Sequence, residues 1–460
     1  MTNRDQASTF LNKSSIKAAD LDHRQKINYN IGKYNAVVPQ GKQQFDNIHL
    51  ARERAKNIKW RALESLDQQL ERFEQAFTRR GGKVIWAEDG PGALKEILAI
   101  CKEKNCQAIV KSKSMVTEEI HLNDFLKENG IESLETDLGE YIQQLDDEPP
   151  YHIVTPAMHK SKEDIARLFH EKLHTAPGLT PAELTGVARE NMRQKYREAS
   201  IGITGANFIL ADTGSIALTE NEGNGRLCSS YPETHIVITG IEKVIPSMND
   251  LALFWPLLAT FGTGQRVTSY NSIISGPRQP GESDGPAEMY VILLDNGRSQ
   301  MLANAKLRES LYCIRCGACL NACPVYKNIG GHSYGTTYSG PIGAVITPHL
   351  KSLGDWKHLS YASSLCGNCT EVCAVKINLH EILLENRHEA VQEGEAGWME
   401  KLAWRGWKQA SLHRKWMNMG NAKIKNWFIN RVFSNWRKHR TNLLFPEKSF
   451  NQRWMEKHKS

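Results

Sequence analysis

Four cysteines within eleven residues constrain the fold of this chain more than any other feature of its sequence. They are spaced Cys313-x2-Cys316-x2-Cys319-x3-Cys323, and Pro324 follows the last of them. In such a run three thiolates hold one iron–sulfur cluster and the fourth is directed to a second cluster. A structural zinc site is the alternative, but zinc sites use separated Cys-x2-Cys pairs. The run therefore predicts a domain that holds two iron–sulfur clusters.

A second, shorter run begins about forty residues later. It reads Cys366-x2-Cys369-x3-Cys373. A complete motif would have a further cysteine three residues before Cys366, where this chain has Ser363. Ala374 stands where a proline is more usual. The second run is therefore one thiolate short.

Each run is expected to lend its last cysteine to the cluster of the other run. For cluster 1 the predicted ligands are Cys313, Cys316, Cys319 and Cys373. For cluster 2 they are Cys323, Cys366 and Cys369. Both clusters are expected to be 4Fe-4S. The fourth ligand of cluster 2 stays open between Ser363, another residue, and none, which would leave a 3Fe-4S cluster.

The rest of the composition is that of an ordinary globular protein, with 40% apolar and 24% charged residues among 460. That length predicts two or three domains. The N-terminus is polar, and the longest apolar run, 251–261, is shorter than the roughly 20 residues that span a bilayer. We therefore expect a cytoplasmic protein, in which ten cysteines favour metal ligands over disulfides. The cysteines outside the runs, expected to be buried apolar residues, are Cys101, Cys106 and Cys228.

Four regions follow one another along the chain. Residues 1–50 have few apolar positions and are expected to form a loosely packed arm. Residues 51–297 begin with a helix over 48–80 and then alternate short strands and helices, which predicts an α/β domain with a mainly parallel sheet. The predicted strands are 83–86, 108–110, 131–134, 152–154, 208–210, 215–218, 235–238 and 289–293, and the predicted helices are 91–104, 117–129 and 162–174. A helical ferredoxin-type domain over 298–395 and a helical tail over 396–460 complete the chain.

The tail is basic and rich in tryptophan. Between Trp398 and Ser460 there are fifteen Lys or Arg residues and three Glu. The tryptophans are Trp398, Trp404, Trp407, Trp416, Trp427, Trp436 and Trp454. Nucleic-acid stacking is disfavoured, because no nucleic-acid-binding motif accompanies them. Contact with a membrane surface and docking to a protein partner or to the cluster domain both stay open.

Several stretches of the α/β region, together with the cysteine runs, closely resemble the lactate utilization protein B family, iron–sulfur proteins of bacterial L-lactate oxidation. These stretches are 111–117, 135–142, 152–160, 202–207, 211–215 and 219–226. The resemblance implies a first domain similar in fold to the ribose-phosphate isomerase and coenzyme A transferase group. It also implies two partners, lactate utilization proteins A and C, which together with this chain oxidise lactate to pyruvate. The spacing of the two cysteine runs resembles the helical ferredoxin domains of succinate dehydrogenase and glycolate oxidase subunits.

Two glycine-rich turns in the α/β region, 212–215 and 221–225, are candidate anion sites, because backbone N–H groups in such turns can bind a carboxylate or phosphate. The alternative is that these glycines only permit tight turns. Charged residues nearby are candidates for a general base (Glu220 or Glu222) and for holding a substrate carboxylate (Lys111 or Lys113).

The sequence contains no G-x-G-x-x-G dinucleotide motif at the start of a helix. This favours an electron carrier over a self-sufficient dehydrogenase and leaves catalytic residues unassigned. The leading hypothesis is an electron-transfer subunit of a complex that oxidises an organic acid, L-lactate by the resemblance. The alternatives are a catalytic subunit whose α/β pocket binds the acid, and a non-enzymatic iron–sulfur sensor.

Overall fold

The computed structural model describes residues 3–395, 397–413, 415–416, 420–432 and 441–458. Residues 1–389 form one compact unit, and residues 390–460 form a second. Among the described residues, every helix is too short or too polar to cross a bilayer.

Residues 3–78 are largely helical, in contrast to the loosely packed arm expected for residues 1–50. The helices are α1 (Asn3–Ala19), α2 (Leu21–Lys42), α3 (Ile48–Glu64) and α4 (Leu66–Thr78). Ile27 and Ile31 lie one turn apart on α2 and are fully buried. Because this helix buries only a narrow face, its apolar period is weak in the sequence. The single helix predicted over 48–80 is broken at Ser65, which separates α3 from α4.

A six-stranded sheet forms the centre of the α/β region. The strands of the structure are β1 (Lys83–Ala87), β2 (Ala108–Lys111), β3 (Glu132–Glu135), β4 (Ile201–Thr204), β5 (Phe208–Leu210), β6 (Ser215–Glu220), β7 (Thr234–Gly240), β8 (Val244–Ile245), β9 (Tyr270–Ile274) and β10 (Glu288–Leu294). The central sheet has the order β1-β10-β7-β4-β2-β3, and every neighbouring pair is parallel. A smaller sheet has the order β8-β5-β6-β9. The predicted α/β architecture with a mainly parallel sheet is confirmed.

Helices connect these strands. They are α5 (Gly90–Glu103), α6 (Met115–Glu119), α7 (Leu122–Glu128), α8 (Leu138–Leu145), α9 (Lys162–Leu173), α10 (Pro181–Glu198), α11 (Asn224–Ser230), α12 (Leu251–Thr263) and α13 (Arg298–Ala303). The helix predicted over 117–129 is interrupted at His121, whose φ of 57° ends one helix before the next begins. The strand predicted over 152–154 is wrong, because these residues form irregular backbone.

The cysteine region is a set of short helices. They are α14 (Ala318–Ala322), α15 (Pro324–Ile329), α16 (Gly340–Leu350), α17 (Leu353–Trp356), α18 (His358–Tyr361), α19 (Asn368–Glu371) and α20 (Leu379–Gln392). One hydrophobic core runs through both regions and includes Phe254 of α12 and Leu320 of α14. The expected boundary after Gly297 therefore does not interrupt the core.

A buried arginine joins the α/β region to the cysteine region. Arg298 is 1% exposed and donates hydrogen bonds to both carboxylate oxygens of Glu119, at 2.9 and 2.7 Å, and to Glu242 at 2.7 Å. The hydroxyl of Tyr338, from the cysteine region, donates to Glu119 at 2.6 Å. The two regions therefore share a hydrogen-bonded ionic network in their interface.

The second unit contains α21 (Trp398–Leu412), α22 (Ala422–Val432) and α23 (Phe450–Lys457). Its described tryptophans are all between 51% and 73% exposed, namely Trp398, Trp404, Trp407, Trp416, Trp427 and Trp454. Trp436 lies outside the described residues. These three helices agree with the helical tail that the sequence predicted.

Candidate metal centre and the adjoining pocket

The two cysteine runs fold into the same kind of loop. In the first, Arg315 has a φ of 60° and Gly317 one of 78°. In the second, Leu365 has a φ of 52° and Gly367 one of 79°. Each loop leads directly into a short helix, α14 or α19. The left-handed residues bend the chain so that consecutive cysteine side chains can face a common centre.

Ser363 takes in the second loop the place that Cys313 holds in the first. The backbone N–H of Arg315 donates to the sulfur of Cys313 at 3.4 Å. Likewise, the N–H of Leu365 donates to the hydroxyl oxygen of Ser363 at 3.1 Å. The serine oxygen therefore occupies the position expected of the missing thiolate.

Four of the predicted ligands line one cavity. They come from both runs and are Cys313, Cys316, Cys319 and Cys373, with Ile153 and Val375 among the apolar walls. None of the ten cysteines, all of which the structure describes, forms a disulfide bond. The irregular segment 152–154, where a strand was predicted, supplies Ile153 as part of the wall.

The other three predicted ligands form a second group. The pKa of Cys369 is raised to about 11, first by burial and then by the neighbouring Cys323 and Cys366. Asn368 links the two loops by donating to the carbonyl of Ala322 at 3.1 Å. Cys366 is exposed. This group therefore lies nearer the surface than the first.

The buried thiols fit a bound cationic cofactor. Burial raises the pKa of Cys316 to about 12 and that of Cys373 to about 11, because a buried thiolate lacks solvation. Iron supplies the compensating positive charge, and thiolates are the ligands that iron–sulfur clusters require. Arg52 of α3 stabilises the loop of the second cysteine run, because its guanidinium donates to the carbonyls of Cys373 at 2.9 Å and Glu371 at 2.7 Å.

A cavity of about 260 Å³ lies beside the first cysteine loop. One wall is the edge of the central sheet where parallel strands end: Lys113 follows β2, Asp137 follows β3, Asn207 lies beyond β4 and Lys243 beyond β7. In open parallel sheets, this carboxyl edge is the usual place for ligands. The facing wall includes Arg315 and Cys316.

The cavity and the cysteine loop are in close contact. Gly262 of α12 lines the cavity, and a Cβ added to it would lie 3.3 Å from the carbonyl oxygen of Cys316. Cys316 lines both this cavity and the one formed by the four cysteines. Ile153, Ile314 and Arg315 also line both, so the two sites share one wall.

Two cations in the cavity lack full partners. Lys243 is 7% exposed, and its ammonium makes no hydrogen bond or ion pair with any residue that the structure describes, although the charges of Glu242 and Cys313 are near enough to favour it. Burial, and then Arg315, lowers the pKa of Lys243 to about 8. In Arg315 itself, Nη1 is buried without a hydrogen-bond partner among the described residues, and Nη2 lies 3.7 Å from Glu242. The guanidinium stacks on Tyr338, 4.6 Å from the ring centre.

The two lysines singled out in the sequence have different surroundings. Lys113 lines the cavity, donates to the carbonyl of Val154 at 2.9 Å and lies 3.6 Å from Asp137. Lys111 is fully buried and paired with Glu135 at 2.7 Å, away from the cavity lining. The suggestion that Lys111 could hold a substrate carboxylate is therefore wrong.

Both glycine-rich turns make close contacts within the chain itself. The N–H groups of Gly225 and Arg226 donate to the carboxylate of Glu220 at 2.7 and 2.8 Å. This turn therefore already holds an anion of the chain itself. The turn at 212–215 instead packs on α4, since a Cβ on Gly214 would lie 2.3 Å from the backbone nitrogen of Phe77.

Of the two acids suggested as a general base, Glu222 has the more suitable setting. Its carboxylate accepts from the N–H of Leu138 at 3.0 Å, and it lines the cavity. Burial, followed by the nearby Asp137, raises its pKa to about 7. Glu222 is itself exposed, so its carboxylate is accessible at the cavity, whereas Glu220 is committed to the turn.

Sequence reasoning missed three residues of the cavity, namely Lys243, Arg315 and Tyr338. For two of them the sequence contains a feature that could have identified them. Arg315 is a charged residue between two predicted ligands, and Lys243 belongs to a charged pair directly after the apolar strand β7. Tyr338 has no such feature.

Two family models match the chain in the order of its two regions. The model of the LUD domain matches residues 70–294, and that of the 4Fe-4S dicluster domain matches residues 309–377. A solved structure, a DUF162 family protein from Deinococcus radiodurans, is 16% identical with a TM-score of 0.29; it covers 50% of this chain and 98% of its own.

Curated relatives are similar over most of their length. Lactate utilization protein B of Bacillus subtilis is 44% identical over 436 residues, which cover 90% of this chain and 91% of that protein. The protein of the same name from Bacillus licheniformis is 49% identical, over 81% of this chain and 79% of the relative. The one from Bacillus velezensis is 47% identical, over 83% and 80%. With this extent of similarity, and with the cysteine loops in place, the chain belongs to the lactate utilization protein B family.

Proposed function

We propose that this protein is an iron–sulfur electron-transfer subunit of a multi-subunit complex that oxidises L-lactate to pyruvate. The observation that carries the proposal is the cavity that cysteines of both runs line together. The relatives' name, lactate utilization protein B, and the match to a 4Fe-4S dicluster domain support it. Bound iron–sulfur clusters supply one-electron transfer.

The proposed ligands follow the two groups of thiols. Cluster 1 is assigned to Cys313, Cys316, Cys319 and Cys373, and cluster 2 to Cys323, Cys366 and Cys369. The matching hydrogen bonds at Cys313 and Ser363 support Ser363 as the residue that faces the fourth corner of cluster 2. A hydroxyl is a poorer ligand than a thiolate for iron in such a cluster.

Further parts of the proposal rest on the family. The partners are lactate utilization proteins A and C, in the cytoplasm. The α/β domain has the fold of the ribose-phosphate isomerase and coenzyme A transferase group. The exposed tryptophans of the tail support docking to a partner or to a membrane surface.

Anaerobic purification tests this proposal. We expect about seven or eight irons per chain with matching acid-labile sulfide. Electron paramagnetic resonance should show reduction by L-lactate only when proteins A and C are present. Stoichiometric zinc without sulfide would overturn the cluster assignment, and clusters that stay oxidised in the full complex would overturn the electron-transfer role.

The cavity beside Cys316 favours a second candidate function, in which this chain itself binds the acid. Under this alternative the isolated protein should oxidise lactate and reduce an artificial electron acceptor without its partners. The leading proposal predicts no such turnover by the isolated protein.

A further inference from the structure

The strongest unassigned feature is a pair of buried cations that face the cavity at the carboxyl edge of the sheet. Lys243 has no hydrogen-bond or ion-pair partner among the described residues although it is 7% exposed. Nη1 of Arg315 is likewise buried and without a partner there. Burying charged donors without acceptors is costly, so such groups usually bind an acceptor from outside the chain.

We propose that this cavity binds a small 2-hydroxy- or 2-oxo-monocarboxylate, with its carboxylate between Lys243 and Arg315. The proposal deepens the proposed function, on which it rests for the identity of the acid. It concerns binding alone.

The other charged residues of the cavity are engaged with each other or with backbone groups, so the position between Lys243 and Arg315 is the one open to an anionic ligand. Asp137 lies near Lys113, and the carboxylate of Glu220 is held by the turn at Gly225. The acidic side of the cavity thus lies toward β3 and β6, and the cationic side toward the cysteine loop. Polar side chains that line the same cavity, among them Asn207 and Glu222, can pair with the 2-oxygen substituent of an acid bound there.

The position of Lys243 is fixed by the fold. Lys59 of α3 donates from its ammonium to the backbone carbonyls of Glu242 and Val244, the residues on either side. The carboxylate of Glu242 is bound to Arg298. Lys243 is therefore held at the cavity by both of its neighbours, and its ammonium remains available to a ligand.

The size and shape of the cavity favour a small acid. Its volume, about 260 Å³, is below the roughly 300–1,000 Å³ of pockets that hold drug-sized ligands. A nucleotide would also need phosphate-binding backbone groups, and the turn best suited to that task is occupied by Glu220. Compact carboxylates of three or four carbons fit both constraints.

The competing explanation is that both cations only balance the charge of cluster 1. Titration calorimetry on the anaerobic holoprotein separates the two, with L-lactate and pyruvate as ligands, and propionate and inorganic phosphate as comparisons. The variants are Lys243→Met, Lys243→Arg and, as control, Lys95→Met, which removes an exposed lysine of α5.

We expect pyruvate or lactate to bind more tightly than propionate or phosphate. Lys243→Met should weaken binding about tenfold or more, as loss of a charged hydrogen bond does. Lys243→Arg should recover most of the affinity, and Lys95→Met should match the parent. Iron and sulfide should be unchanged in all. No binding by the parent, equal binding by Lys243→Met, or phosphate binding as tight as that of the acids would overturn the inference.

A second measurement needs no variant. With [1-¹³C]pyruvate bound to the reduced parent protein, electron–nuclear double resonance should detect coupling between the label and a cluster, because Cys316 lines both sites. No coupling in the saturated protein would place the acid elsewhere.

If the acid does not bind but partners still reduce the clusters, the inference fails and the proposed function stands. If the acid binds but the complex never reduces the clusters, the inference stands and the proposed function fails.

Discussion

Ser363 and Cys313 are structurally equivalent residues of two repeated loops, and each accepts a hydrogen bond from the backbone N–H two positions later. One of the two supplies an oxygen and the other a sulfur. The repeat thus preserves the backbone of an iron–sulfur loop while changing a single donor atom. Our first prediction follows from that difference.

Replacing Ser363 with cysteine should supply a fourth thiolate to cluster 2 and slow its loss of iron in air. Thiolates hold a cluster corner more firmly than a hydroxyl does. Bleaching and the paramagnetic signals of parent and variant, followed in air, measure this. The control is Ser364→Cys, which adds a thiol at the exposed neighbour. Equal decay of both clusters in the parent, with no protection in Ser363→Cys, would contradict our ligand assignment.

Replacing Cys373 with serine should damage cluster 1 and spare cluster 2. Cys373 belongs to the second run in sequence but lines the cavity with three cysteines of the first. The paramagnetic spectra of the reduced variant should therefore lose the cluster 1 signal alone. Cys228→Ser, which changes a buried cysteine outside both runs, serves as the control. Selective loss of cluster 2 in Cys373→Ser would show that the runs do not exchange their last ligands.

Replacing Arg298 with methionine should destabilise the protein by roughly 3–5 kcal/mol, because it leaves buried carboxylates without their cation. The two carboxylates belong to Glu119 and Glu242. Thermal unfolding of the anaerobic protein should show a Tm lower by several degrees. The matched change Arg308→Met removes a partly exposed pair with Glu64 and should cost less than about 1 kcal/mol. Similar Tm shifts in both variants would argue against the buried network.

Ending the chain before Trp398 should leave iron and sulfide content intact. No residue of α21, α22 or α23 is buried among those described, and cluster ligands lie well before this point. The truncated protein should, however, bind its partner complex or anionic vesicles less well than the full chain. Metal analysis, followed by co-sedimentation, measures both effects. Loss of both clusters on truncation would instead indicate that the tail completes the cluster domain.

Local patterns in the sequence predicted the cysteine groups and most of the sheet. The spacing of the cysteines predicts the two loops directly, because each loop is set by its own few residues. Strands such as β7 and β10 are apolar runs and are equally visible. The strands and the two cysteine loops depend on residues that are neighbours in the chain, whereas the grouping of Cys373 with the first run was predicted from the crossing rule for such motifs.

Features that depend on distant residues were not predictable. Lys243 and Arg315 meet only because the strand order places the end of β7 beside the first cysteine loop. Residues 152–154 have the apolar composition of a strand, yet Ile153 serves as a wall of the thiol cavity. The turn at Gly225 looked open to an outside anion because the sequence does not show where the side chain of Glu220 points.

The hydrogen bond between Arg52 and the carbonyl of Cys373 joins residues 321 positions apart. During synthesis the ribosome therefore releases α3 and the whole α/β region long before the last ligand of cluster 1. Until Cys373 emerges, the first loop offers only three thiols and an open side. The complete set of ligands proposed for cluster 1 therefore exists only after Cys373 has emerged from the ribosome.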